Sequence, residues 1–363
     1  MSVRRAVWPL FVLLSILVLP TASAGKVKAQ LFEADLEESF TVAKGSSVEF
    51  ENLLGSIEVM PQAKGNEVRI RAHVVAEAAE AVEARRLAQE VRLVRSDAGG
   101  AVKWSVAFPD ARLFRMPKTG VASVYSKWLA PLVKRKTVST RYDGRAVEIG
   151  NARGATAVSV TVKVEIPMDL HVSAVQHVGT VQCNGVRGDV ALSVKQGELH
   201  AGRLFGDLHV TTEGASARVW GFNGSFLNVE TGSGEIELTE IRSEKMRIDS
   251  ARGLVRADKI DTTELEASTG SGKMIFERLE PEAMVIRSDT GDLELATELK
   301  RTRDATISST SGNVTVRLGT FAPFRLEANS PDGAVKGSGV NVEVDQFEKN
   351  SAKLARGSGG ANL

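Results

Sequence analysis

Through the second half of the chain, apolar and polar side chains alternate in short blocks, and each block follows a glycine. The glycines are Gly179, Gly197, Gly214, Gly234, Gly253, Gly272, Gly291, Gly312 and Gly333, spaced 17–21 residues apart. Two residues after them stand Val181, Leu199, Ser216, Ile236, Val255, Met274, Leu293, Val314 and Val335. The third position is mostly polar, and the fourth is apolar again: Cys183, Ala201, Leu238, Ala257, Phe276, Leu295 and Val316. Alternation of period two marks a strand with one buried face. Arg218 breaks the pattern, and a one-residue slip at a bulge would place Ala217 and Val219 inside instead.

A second alternating block precedes each glycine, as in Leu227/Val229, Met246/Ile248 and Leu265/Ala267. Three residues before the glycine stand Thr231, Ser250, Thr269, Ser288, Ser309 and Ser330, whose regularity suits hydroxyls that satisfy backbone groups at a corner. An apolar anchor falls about seven residues after it: Val186, Leu204, Ile241, Ile260, Leu279 and Val340. Each unit thus reads as glycine turn, strand, apolar corner, strand. A tight corner needs φ > 0 or a missing Cβ. Units of this length, repeated, stack into a solenoid in which each buries its apolar face against its neighbours. The predicted class is all-β, a parallel β-helix of about 19 residues per coil. Nine coils at ~4.8 Å would make a rod of roughly 40 Å.

The same pattern occurs once near the start. Gly55 has Val48 and Phe50 before it, Asn52 three residues before it, and Ile57 and Val59 after it. Residues 40–75 therefore read as an N-terminal coil, cut off from the rest by an insertion. Within the insertion, Ala76 to Gln89 predicts a short helix, and 91–95 with 102–106 a hairpin. An irregular segment follows from Pro109 to about Asp143, and then the strand Val158 to Ile166.

The chain opens with Arg4 and Arg5, an apolar run from Ala6 to Leu19, and Ala22-Ser23-Ala24. This is the layout of a cleavable secretory leader, with a retained anchor as the rival reading. The expected organisation is a leader over 1–24, N-terminal strands and first coil over 25–75, insertion over 76–157, parallel β-helix over 158–345 and a flexible tail over 346–363. Loss of Arg4 and Arg5 turns the net charge from +1 to −1. A near-neutral chain is no general polyanion binder, so a nucleic-acid partner is not expected. The single cysteine, Cys183, excludes an intramolecular disulfide and reads as a buried apolar thiol.

Charge is uneven, however. Between Asp110 and Ala155 ten basic residues face three acidic ones. Arg112, Arg115, Lys118, Lys127, Lys134, Arg135, Lys136 and Arg141 lie there, with Trp128 among them. Basic residues interleaved with aromatic and apolar ones can dock on anionic lipid headgroups or acidic polysaccharide. A solvated loop packed on the solenoid flank is the alternative.

Catalytic chemistry is hard to find. A lyase or hydrolase needs carboxylates and a basic group converging on one face. The residues directly after the corner glycines offer no adjacent carboxylate pair, and Lys273 with Asp292 reads as a cross-coil ion pair. His171, His177, His200 and His209 read as isolated surface residues rather than convergent ligands. No cofactor or metal is expected.

Asn52-Leu-Leu-Gly-Ser-Ile-Glu-Val59, Val164-Glu-Ile-Pro167, Thr231-Gly-Ser-Gly-Glu-Ile-Glu-Leu238 and Ser309-Thr-Ser-Gly-Asn-Val-Thr-Val316 carry a family likeness. They resemble the bacterial putative-adhesin domain of unknown function built of β-strand repeats, over about residues 40–75 and 155–345. The resemblance implies a right-handed parallel β-helix in an exported envelope protein, with no catalytic residues to carry over. The large basic insertion departs from that family's compact pattern. The expectation is a non-enzymatic envelope scaffold, periplasmic, surface-bound or extracellular, adhesin-like or structural. It would contact an envelope component, an anionic lipid or a polysaccharide through the insertion, with peripheral membrane contact and homo-oligomers left open. A carbohydrate-active β-helix enzyme is the alternative.

Overall fold

The computed structural model describes residues 29–62, 65–98, 101–117, 137–297, 301–319, 324–339, 343–348 and 350–356. The leader therefore lies outside the described residues, as do Val340 and residues 357–363. Among those described, no helix is long and apolar enough to cross a membrane.

The N-terminal part consists of β1 (Gln30–Thr41), β2 (Ser47–Pro61), β3 (Glu67–Ala78), α1 (Ala81–Glu90), β4 (Arg92–Ala98), β5 (Ala101–Ala107), β6 (Leu113–Arg115), β7 (Val138–Tyr142), β8 (Arg145–Ile149) and β9 (Thr156–Ile166). The coils follow as β10 (His171–Asn184), β11 (Val190–Gly202), β12 (Leu208–Thr212), β13 (Ser216–Trp220), β14 (Asn223–Thr231), β15 (Ile236–Ser250), β16 (Val255–Thr269) and β17 (Met274–Ser288). The last are β18 (Leu293–Thr297), β19 (Asp304–Ser309), β20 (Val314–Leu318), β21 (Phe324–Asn329), β22 (Val335–Gly339), β23 (Glu343–Glu348) and β24 (Ser351–Arg356).

Alternation dictates the winding. Ile236, Leu238, Met246 and Ile248 of β15 are all fully buried, and so are their equivalents on β16 and β17 to within 3%. The strands stack in parallel, Leu238 opposite Ala257 and Ala257 opposite Phe276. The result is a β-solenoid of about eight turns, about 19 residues apart. Its interior is one continuous apolar column from Val48 to Val335.

The corner glycines owe their place chiefly to close approach. A Cβ on Gly234 would lie 1.7 Å from the carbonyl oxygen of Ala215, and one on Gly253 would lie 1.9 Å from that of Gly234. Ala215 stands in the ladder where the sequence offers Gly214, so the coil slips by one residue, and Ala217 and Val219 point inward as expected. The hydroxyl ladder closes the same corner from within. Ser250 Oγ donates to Gly253 O at 3.0 Å, Ser288 Oγ to Gly291 O at 2.7 Å, and Gly312 N–H to Ser309 Oγ at 2.9 Å. At the opposite corner the chain bends through φ > 0 at Arg203, Gly221, Glu240, Lys259 and Arg278. The anchors beside them, Leu204, Phe222, Ile241, Ile260 and Leu279, are buried.

The N-terminal coil forms only in part: β2 joins the parallel stack, but residues 67–75, read as its second strand, belong to β3, which pairs antiparallel with β1 and β9. β2 runs parallel to β10 with Gly55 opposite Gly179 and Asn52 opposite Gln176. The insertion then does something the pattern did not announce. β5 pairs in parallel with the first half of β2, and β9 with its second half, Gly55 facing Val160. Together they supply a rung beneath the first coil. β3 extends one wall antiparallel to β9 and β1 continues it antiparallel to β3, β4 extends the other antiparallel to β5, and α1 packs on β1 and β3.

Further expectations need correction. Residues 113–115 and 138–142, read as part of an irregular segment, form β6 and β7. The helix begins at Ala81, because Ala76 to Ala78 remain in β3, paired with β1 and β9. Residues 351–356 are not a loose tail: they form β24, antiparallel to both β21 and β23. Lys273 does not pair with Asp292; its Nζ lies 2.7 Å from Glu294, and Asp292 accepts from the backbone N–H of Asn313 at 2.8 Å. Asp292 sits at the rung corner, where a neighbouring backbone donor is nearer than a lysine head.

Candidate functional site

The insertion is seated on the outside of the first coils by a buried polar cluster. β7 and β8 form a hairpin, and β8 joins β6, which joins β9. Along β7 the burial alternates, Thr140 and Tyr142 facing the solenoid while Ser139 and Arg141 face outward. Beneath them lie two residues that point out from the coils, Glu51 of β2 and His177 of β10. His177 Nε2 donates to Glu51 Oε1 at 3.1 Å, since a carboxylate only accepts. Its Nδ1 meets Thr140 Oγ1 at 2.7 Å. The Tyr142 ring stands edge-on to the imidazole at 5.2 Å, and its hydroxyl donates to Val106 O at 2.6 Å. Lys103 of β5 completes the cluster, 2.8 Å from Glu51 and 2.7 Å from Glu49.

These contacts set the charge state. The hydrogen bond from His177, with the charge and hydrogen bond of Lys103, pulls the Glu51 carboxyl down to about 2 against the opposing effect of burial. Burial, with the Glu51 charge nearby, raises the Tyr142 phenol well above its ordinary range. His177 is thus no surface histidine: its side chain is 5% exposed, because the hairpin folds over the coil's outer face.

The order hydroxyl, imidazole, carboxylate is that of a nucleophilic triad. Thr140 turns its hydroxyl toward the coil and is 8% exposed under the hairpin. The cluster is built as a clamp.

The basic side chains divide into three groups. Arg115 is committed inward, Nη2 2.8 Å from Glu77, whose side chain is 2% exposed. Arg112 and Arg141 are exposed and meet no acidic partner among the described residues. Arg112 lines a concavity of about 840 Å3 together with Ser139, Thr140, Arg145 and Glu148, where Arg145 pairs with Asp110 at 2.6 Å. Lys118, Lys127, Trp128, Lys134, Arg135 and Lys136 lie outside the described residues.

Many charges on the coils are matched from rung to rung, although Arg187, Arg203, Arg252, Arg303 and Arg317 are exposed and meet no acidic partner among the described residues. Arg218 lies 2.6 Å from Glu237, Lys259 2.7 Å from Glu240, and Arg242 3.3 Å from Asp261. His200 meets Glu198 at 3.2 Å, His171 meets Asp189 at 3.1 Å, and the His209 ring stands edge-on to Phe226 at 5.4 Å. Among the described residues no three His, Cys, Asp or Glu side chains gather as metal ligands would. Cys183 is buried as read, and burial pushes its thiol up to about 12.

The sequence reading missed Glu51, Lys103, Thr140 and Tyr142 altogether. Alternation of Val138, Thr140 and Tyr142 was the available signal, but it gives no hint of the surface they face.

These features define a parallel β-solenoid with an inserted hairpin clamped to its first rungs. Residues 206–363 match the family model described as Toastrack DUF4097, and the resemblance read from the coil motifs holds over that stretch. No curated protein matches the chain. Among solved structures, one of a putative adhesin from Parabacteroides distasonis ATCC 8503 is 11% identical, covers 84% of this chain and 97% of its own, and has a TM-score of 0.41. A putative adhesin from Parabacteroides merdae ATCC 43184 is 12% identical, with 84% and 96% covered and a TM-score of 0.39. A putative lipid binding protein from Parabacteroides distasonis ATCC 8503 is 11% identical, with the same coverage and a TM-score of 0.35.

Proposed function

We propose that the protein is a non-catalytic, exported solenoid scaffold with an adhesin-like role, which holds its basic insertion against an anionic surface of the envelope. The observation that carries this reading is the excess of basic over acidic residues between Asp110 and Ala155, ten against three. Within that stretch Arg112 and Arg141 stand exposed without acidic partners among the described residues. They sit on a platform pinned by a buried clamp, so they are presented from a fixed base. Lys134, Arg135 and Lys136 lie on the chain between β6 and β7, the two strands that carry that platform. A leader at 1–24 supplies the export route.

Vesicle co-sedimentation tests it. Replacing Lys134, Arg135 and Lys136 with Glu, or Arg112 and Arg141 with Glu, should abolish binding to anionic vesicles while leaving neutral vesicles unaffected. Unchanged sedimentation in both variants would refute the role.

A further inference from the structure

The φ > 0 corner borders a groove of about 1180 Å3 that crosses the rungs from Phe205 to Leu318. Three consecutive rungs repeat one construction there. A charged residue with positive φ stands on one bank, an apolar anchor lies buried next to it, and a residue of opposite charge stands on the other bank. The triplets are Glu240-Ile241-Arg242, Lys259-Ile260-Asp261 and Arg278-Leu279-Glu280.

The order of signs reverses between the first and second triplets, so each bank closes its own ion pair, Glu240 with Lys259 at 2.7 Å and Arg242 with Asp261 at 3.3 Å. Arg278 pairs with Asp258, and Asp261 also meets Arg301 at 2.6 Å. Charge is nearly balanced within the groove, where Arg242, Lys259, Arg278 and Arg317 face Glu240, Asp261 and Glu280, so a polyanion or polycation meets only a small net field in it. Donors and acceptors nevertheless recur on both banks every ~4.8 Å. A ligand suited to that lining carries groups that both donate and accept at a similar repeat, as hydroxyls do.

Two further observations point the same way. Phe205 lines the groove with 41% of its surface exposed, an aromatic face suited to the apolar side of a sugar ring. The φ > 0 positions hold Glu, Lys and Arg, where glycine would relieve backbone strain, as Gly221 does one rung earlier. Long polar side chains are kept there despite the strain.

We propose that this groove binds a neutral, extended oligosaccharide lying along the stack of rungs. The site is separate from the basic insertion and does not depend on its role.

Titration calorimetry on the full mature chain tests it, with the hexasaccharides of cellulose, xylan, mannan and chitin as neutral probes and oligogalacturonate as the anionic control. At least one neutral hexasaccharide should bind, its disaccharide more weakly, with little change on raising salt. Phe205→Ala should weaken binding about tenfold. Lys259→Gly and Arg278→Gly should weaken it similarly while leaving the fold intact, since glycine accepts the positive φ. The insertion variants should bind as the parent does. Failure of every neutral hexasaccharide to bind would overturn the proposal. So would affinity untouched by Phe205→Ala and Lys259→Gly, or salt-sensitive binding confined to oligogalacturonate.

Discussion

Gly253 lies so close over Gly234 that a methyl group on its α-carbon would sit 1.9 Å from the carbonyl oxygen below. The contact is between backbones, so no rotamer change can relieve it. Gly253→Ala should therefore push two rungs apart and cost about 2–3 kcal/mol, within the range for overpacked cores. Urea unfolding of the variant would show a lowered midpoint; an unchanged midpoint would mean that the ladder tolerates Cβ atoms.

The clamp makes a second case. His177→Phe keeps a ring against Tyr142 but removes both hydrogen bonds and leaves Glu51 with Lys103 alone. A loss of about 2 kcal/mol is expected from unsatisfied buried groups. Hydrogen exchange should rise first in residues 138–149, the hairpin, while β15 to β17 stay protected. Uniform loosening of the whole rod would show instead that the clamp is not a local fastening.

Acid should act through the same cluster. The Glu51 carboxyl is depressed from 4.5 to about 2, so the ionised form favours the folded state. Its stabilisation is complete above about pH 4.5 and is lost as the pH falls toward about 2. The shift corresponds to at most about 3 kcal/mol. Stability measured between pH 6 and pH 3 should fall less steeply in Glu51→Gln than in the parent. Parallel pH profiles would contradict the assignment.

Arg115 offers a contrast with its basic neighbours. Arg115→Met removes the guanidinium from a Glu77 that is almost fully enclosed, and should destabilise by about 3 kcal/mol. Arg112→Met, at an exposed position, should change stability by less than about 0.5 kcal/mol. Thermal melts of the two variants would separate the structural arginine from the surface one.

Cys183 should be inert to thiol reagents in the native protein, since burial holds the thiol protonated. Labelling should follow unfolding, and reaction under native conditions at the rate of a free thiol would show that the column opens locally.

The coils were legible because their physics is local. Period-two alternation and a corner repeated about every 19 residues are written into consecutive residues, and Ala217, Val219, Leu238, Leu295 and Val316 all face inward as that pattern demands. What stayed hidden depends on residues far apart in the chain. His177 looks like any polar residue on an outer face until Thr140 and Tyr142 arrive from the insertion to cover it. β5 and β9 carry no corner glycine, so nothing marked Val160 as the partner of Gly55. Lys273 illustrates a smaller limit: which of two nearby carboxylates it meets depends on a backbone donor that claims the other.

The rung built from β5 and β9 has a consequence for assembly. Ser56 meets Thr161 across 105 residues of sequence, whereas each middle coil needs only the 19 that follow it. A chain emerging amino end first cannot finish its first storey until the tenth strand's predecessor has left the exit. The earliest-made segment is therefore expected to wait unpaired for β9, whereas every middle coil can close on its neighbour as soon as the next 19 residues appear.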